Sequence, residues 1–78
     1  MTTEQFKVML QIMQSFNRGI IPTPGDYGIT STELWDIIDE CQREGFIHGA
    51  THAGSVLFLD NARLTIQGLN FLRANTSE

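Results

Sequence analysis

This chain has little cysteine, little positive charge and no long apolar run, and each shortage excludes something. Cys41 is the one cysteine among 78 residues. No disulfide can form within the chain, and a lone thiol behind a start unlike a signal peptide fits a reducing, cytoplasmic setting. Five Lys and Arg stand against nine Asp and Glu, a net charge of −4. That balance offers no general attraction to nucleic acid or anionic lipid. No apolar run approaches the roughly 18 residues of a membrane span. Glu4, Gln5, Lys7 and Gln11 break up the first 18 residues, so neither a membrane nor a secretory segment is expected. The two prolines, Pro22 and Pro24, lie together and forbid a long helix around them.

What is present reads as one small domain over residues 1–78, with residues 1–3 and 75–78 frayed. A domain this size folds on a narrow margin, so close helix packing or dimerisation would help it. Thr2 and Gln5 are spaced for a capping box at the head of a first helix that runs to about Arg18, where Gly19 supplies a left-handed stop. Phe6, Val8, Met9, Leu10, Ile12, Met13 and Phe16 cover roughly 200° of that helix, wider than one core face needs. Either two neighbours cover it or part of it meets a partner. Pro24, Gly25, Asp26 and Tyr27 suit a turn or a single helical turn.

The best-marked element spans residues 29–45. Thr30 and Glu33 form a Thr-x-x-Glu box, Ile29 and Leu34 a hydrophobic staple, and Gly45 a C-terminal stop with Phe46 placed to fold back. Leu34, Ile37, Ile38 and Cys41 make its inner stripe, with Trp35 at the edge. This helix holds Glu33, Asp36, Asp39, Glu40 and Glu44 against Arg43 alone, which is −4; the rest of the chain has four acids and four bases and sums to zero. Residues 46–51 and 56–59 then read as strands, with His52, Ala53, Gly54 and Ser55 as the turn and a resumption at 62–64 after an Asp60-Asn61 irregularity. Thr65 caps a last helix with Ile66, Leu69 and Leu72 on one side and Phe71 flanking them. Gly68 inside it costs about 1 kcal/mol relative to alanine, which a close approach of another element would explain.

Helix, short turn, helix, β-hairpin and closing helix is an α+β order, that of a winged helix. Glu44-Gly45-Phe46-Ile47-His48-Gly49 after the acidic helix, Leu64-Thr65-Ile66-Gln67-Gly68 at the start of the last one, Gly28-Ile29-Thr30 and Phe71-Leu72-Arg73-Ala74-Asn75 resemble the YjcQ family of small bacterial and prophage winged-helix proteins. The resemblance runs from about Phe6 to Asn75. It implies the fold and a prophage or Gram-positive origin, and no catalytic residues.

Chemistry has few candidates. Cys41, His48 and His52 suggest a metal, but Cys41 falls on the inner stripe and no zinc-like spacing is present, so no metal or cofactor is expected. Ser55, His52 and Asp60 are neighbours in sequence, which does not make a triad. The chain is therefore expected not to be an enzyme. Glu33, Asp36, Asp39, Glu40 and Glu44 form a candidate docking surface for a basic protein, set against the plainer reading of a solvated face. Val8, Ile12 and Trp35 are candidates for self-association, with monomer and homodimer both open. The alternative is a DNA-binding regulator. It would use Gln42, Arg43, His52, Arg63 and Arg73, a thin cationic footprint beside five carboxylates.

Overall fold

A computed structural model describes residues 2–54 and 56–76. Helix α1 (Thr3–Asn17) starts where the capping box requires. The Gln5 amide donates to Thr2 Oγ1 at 3.1 Å, and the Thr2 amide donates to Gln5 Oε1 at 2.9 Å. Thr2 and Thr3 are thus tied into the helix rather than frayed. Arg18 caps α1 and Gly19 follows at φ +75°. Helix α2 (Pro24–Tyr27) is the single turn, with proline at its first position, and the Tyr27 hydroxyl lies 2.9 Å from Ser15 Oγ of α1.

Helix α3 (Ser31–Arg43) shows both expected ends. Thr30 and Glu33 exchange hydrogen bonds of 3.1 Å each. At the other end Gly45 turns left-handed at φ +78°, its amide donates to the Gln42 carbonyl, and the Phe46 amide donates to the Cys41 carbonyl at 2.8 Å. These paired bonds satisfy carbonyls that a bare helix end would leave open.

The hairpin interrupts both of its expected strands, the second near Asp60-Asn61 as anticipated and the first, expected over residues 46–51, at residues 49–50. It has four short ones: β1 (Ile47–His48), β2 (Thr51–Ala53), β3 (Val56–Phe58) and β4 (Arg63–Leu64). β1 pairs with β4 and β2 with β3, both antiparallel. Between the two ladders, residues 49–50 face residues 59–62, so the returning strand carries a surplus and the pairing breaks. Ala50, Leu59 and Ala62 turn into the core there. Gly49, at φ +90°, sits so close to the Asn61 carbonyl that a Cβ would stand 2.3 Å from its oxygen. His52 and Ala53 belong to β2, not to the turn, because Ala53 pairs with Val56.

Helix α4 (Ile66–Asn75) buries Gly68 and Leu72 and leaves Ile66 82% exposed. Ile66 is therefore not on the inner side with Leu72; at about 100° per residue it stands roughly 160° and 120° round from the two buried positions. The helix holds to Asn75, whose Nδ2 donates to the Phe71 carbonyl, so the fraying expected at Asn75 is not observed there; Met1, Ser77 and Glu78 lie outside the described residues. Where the hairpin leaves and rejoins the helices, three bonds fasten it. The Thr65 amide donates to the Phe46 carbonyl (2.9 Å), Thr65 Oγ1 to the Gly45 carbonyl (2.6 Å) and Gln67 Nε2 to the Glu44 carbonyl (2.8 Å).

The core joins Met9, Ile12, Met13 and Phe16 of α1 to Leu34, Ile37, Ile38 and Cys41 of α3, with Ile47 of β1 and Leu72 of α4. α1 packs against α3, α4 and β4 at once, which accounts for its broad apolar arc. The result is a small α+β winged-helix arrangement with β2–β3 as the wing. Among the described residues no helix is long and apolar enough to cross a membrane.

Candidate functional site on helix α3

The core stripe of α3 fixes where its charges point. Leu34, Ile37, Ile38 and Cys41 face inward, so Asp36, Asp39, Glu40 and Arg43 take the outer arc, with Glu33 and Glu44 at its two ends. These carboxylates are not equivalent. Glu33 serves the N-terminal box. Asp39 holds Arg43 at 2.5 Å, and Glu40 meets the same guanidinium at 3.7 Å. Asp36 and Glu44 have no ion pair among the described residues.

Glu40 and Glu44 also rim a groove of about 370 Å3 whose walls are Phe6, Met9, Phe46 and Phe71. Phe46 and Phe71 stack, with ring centroids 4.3 Å apart and planes at 23°; Phe6 meets Phe71 edge-on at 6.1 Å and 78°. All three rings are half-buried. Sequence reasoning placed each ring separately and missed their meeting. Phe46, folded back on the end of α3 beside Glu44, was the available signal. Beneath the same stretch of α3, Cys41 is fully buried. Burial pushes its thiol up to about 12, and the charges of Glu40 and Glu44 push the same way.

The proposed self-association residues do not share a surface. Ile12 is 0% exposed and belongs to the core, because α3, α4 and β4 cover α1 together. Val8 is half-buried in a groove with Ile29 and Ile37, whereas Trp35 leans on the wing, its ring 4.4 Å from that of His52. The two lie on opposite edges of α3. An apolar surface that was missed sits on the wing's outer face, where Val56 is 55% and Phe58 50% exposed. Its signal was the run Val56-Leu57-Phe58-Leu59, since only alternate residues of a strand can reach one face.

The candidate nucleic-acid contacts are mostly engaged elsewhere. Gln42 Oε1 accepts from the Ala50 amide at 3.1 Å. Arg43 is held by Asp39 and Glu40. Arg63 donates to the Asp60 and Ala62 carbonyls. His52 packs on Trp35, with Nδ1 3.4 Å from the Gly54 carbonyl oxygen. Arg73 is exposed on α4. His48 and His52 fall on different ladders, and among the described residues no three His, Cys, Asp or Glu side chains come together as metal ligands. Ser55 lies outside the described residues, so its relation to His52 and Asp60 has no geometry.

Residues 6–78 match the family described as YjcQ protein. No curated protein and no solved structure matches the chain. With nearly its whole length matched, and its helices and hairpin arranged as that resemblance implies, the chain belongs to the YjcQ family.

Proposed function

We propose that this protein is a non-enzymatic winged-helix module, an accessory or regulatory factor of the prophage type, that docks a basic protein partner on the acidic face of α3. One observation carries the reading: the chain's entire net charge of −4 resides on α3 together with its C-cap, Glu44, at the position a winged helix offers to DNA. A field of that sign repels phosphate and steers a cationic partner. The wing does not reverse it, for its outer face presents Val56 and Phe58 rather than a cation. A lone buried thiol suits action in a reducing cytoplasm.

The second reading is a DNA-binding regulator, favoured only by the placement of α3 before the wing. Affinity capture with the wild type and with the triple variant Asp36→Asn, Glu40→Gln, Glu44→Gln separates the two. A partner held by the wild type and lost by the variant, with the fold retained, supports α3 docking. Equal capture by both rejects it. Salt-sensitive NMR shifts with mixed-sequence duplex DNA, lost on Arg63→Glu, would favour the regulator instead.

A further inference from the structure

The groove at the C-terminal end of α3 combines two features that a plain solvated face lacks. Its walls are aromatic and its polar rim is purely anionic. Three of the five phenylalanines, Phe6, Phe46 and Phe71, leave ring surface uncovered there, with Met9 at the base. Its volume of about 370 Å3 lies within the range of small-ligand clefts, about 300–1,000 Å3. Glu40 and Glu44 stand one helical turn apart on the same side, and no Lys, Arg or His lines the groove. Arg43, between them in sequence, is drawn to Asp39 and reaches Glu40 only at 3.7 Å. Lys7, next to Phe6, lies 3.9 Å from Glu4. The negative end of the α3 dipole falls at the same place.

We infer that the groove between Phe6, Phe46 and Phe71 receives a basic side chain, arginine before lysine, presented by an exposed segment of a protein partner. This rests on the reading of α3 as the docking face and names the point of contact. The chemistry selects the occupant. Ring faces attract a cation, and a guanidinium lies flat on them while its fork meets a carboxylate. Its aliphatic stem covers apolar wall. A phosphate or a carboxylate would be repelled by Glu40 and Glu44. A purely apolar segment would strip water from those carboxylates without replacing it. A second copy of this chain carries the same net charge of −4, the wrong sign for an anionic rim. The field of Glu40 and Glu44 is felt inside the protein as well, since both carboxylates help hold Cys41 protonated.

The test is an NMR titration of the isotopically labelled chain with three capped peptides that alternate glycine with arginine, lysine or glutamate. The arginine peptide is expected to shift the amides of Phe6, Met9, Phe46 and Phe71. Its own δ-protons should move upfield under the ring currents. Phe71→Leu, which keeps the apolar volume and removes the ring, should weaken binding about threefold, the size of an exposed cation–π contact. Glu44→Gln, at an exposed residue, should weaken it too and reduce the salt dependence. Should Phe71→Leu fail to fold, the upfield arginine shift in the wild type decides alone, and its absence overturns the groove. Shifts confined to Asp36 and Asp39, with Phe71→Leu binding as well as wild type, overturn the groove and leave α3 docking intact. A silent spectrum with both basic peptides overturns both.

Discussion

Gly68 stands where no other residue fits. A Cβ there would lie 2.2 Å from the Phe46 carbonyl oxygen and 3.0 Å from Leu64 Cδ1. The close approach anticipated from a glycine inside a helix is thus the crossing of α4 over the start of β1. In a free helix Gly68→Ala would gain about 1 kcal/mol. Here overpacking costs about 1–3 kcal/mol, so the variant is expected to be less stable by up to about 2 kcal/mol, read as a lower urea midpoint at unchanged slope. A raised midpoint would mean that α4 retreats freely.

Cys41 makes a second residue-scale case. Its thiol is held up to about 12 by burial and then by Glu40 and Glu44, against an ordinary 9.0. The folded chain keeps a proton that the unfolded chain releases above pH 9.0, so this contribution to stability is complete below that pH and is lost as pH rises toward 12. Urea midpoints at pH 8 and pH 10 should fall further apart for the wild type than for Cys41→Ala. An aromatic disulfide reagent should leave the native thiol untouched at pH 8 and label it in urea.

Among the elements, α3 was legible almost residue for residue. Its start and stop signals act through the local backbone: Thr30 reaches Glu33, and Gly45 turns at positive φ. Glu44 is the exception to its good design, a carboxylate at the negative end of the helix dipole. Glu44→Gln should therefore stabilise the chain by roughly 0.3–1 kcal/mol, a few degrees in thermal unfolding for a domain of this size. Together with weaker arginine-peptide binding, that gain would separate a lost contact from a damaged fold. The strands were less legible because their ends are set from elsewhere. The interruption at Asp60-Asn61 is marked in the sequence, but that Leu59 and Ala62 are drawn into the core around it and that Gly49 lies against Asn61 is announced by no pattern along residues 46–64. The aromatic groove was hidden for a related reason. Phe6, Phe46 and Phe71 come from α1, the turn after α3, and α4, so only the packed helices bring them together.

On the scale of the whole molecule, charge and chain path divide the labour. The net charge sits on α3 and its cap Glu44, on one side of a body 35 × 24 × 21 Å, so its field would turn a cationic molecule toward α3 before contact. The wing is organised independently of that. Its root is the set of three bonds from Thr65 and Gln67 to the carbonyls of Glu44, Gly45 and Phe46, while Gly54 at its tip is exposed, with nothing near the place a Cβ would occupy. A short Gly-Ser insertion after Gly54 is expected to cost less than about 1 kcal/mol, since doubling a loop adds only about 0.6 kcal/mol of closure entropy. Thr65→Val, which removes both the bond to the Gly45 carbonyl and the capping bond that Thr65 Oγ1 accepts from the Gly68 amide, should cost more, about 1–3 kcal/mol. Urea unfolding of both variants checks the contrast. The wing is thus a beam clamped at its root and propped along its length where His52 meets Trp35 and Leu57 meets the core. Its free end can be lengthened, exchanged or fitted with a fluorophore while the helices keep their places, and a probe mounted there would register the arrival of a visitor.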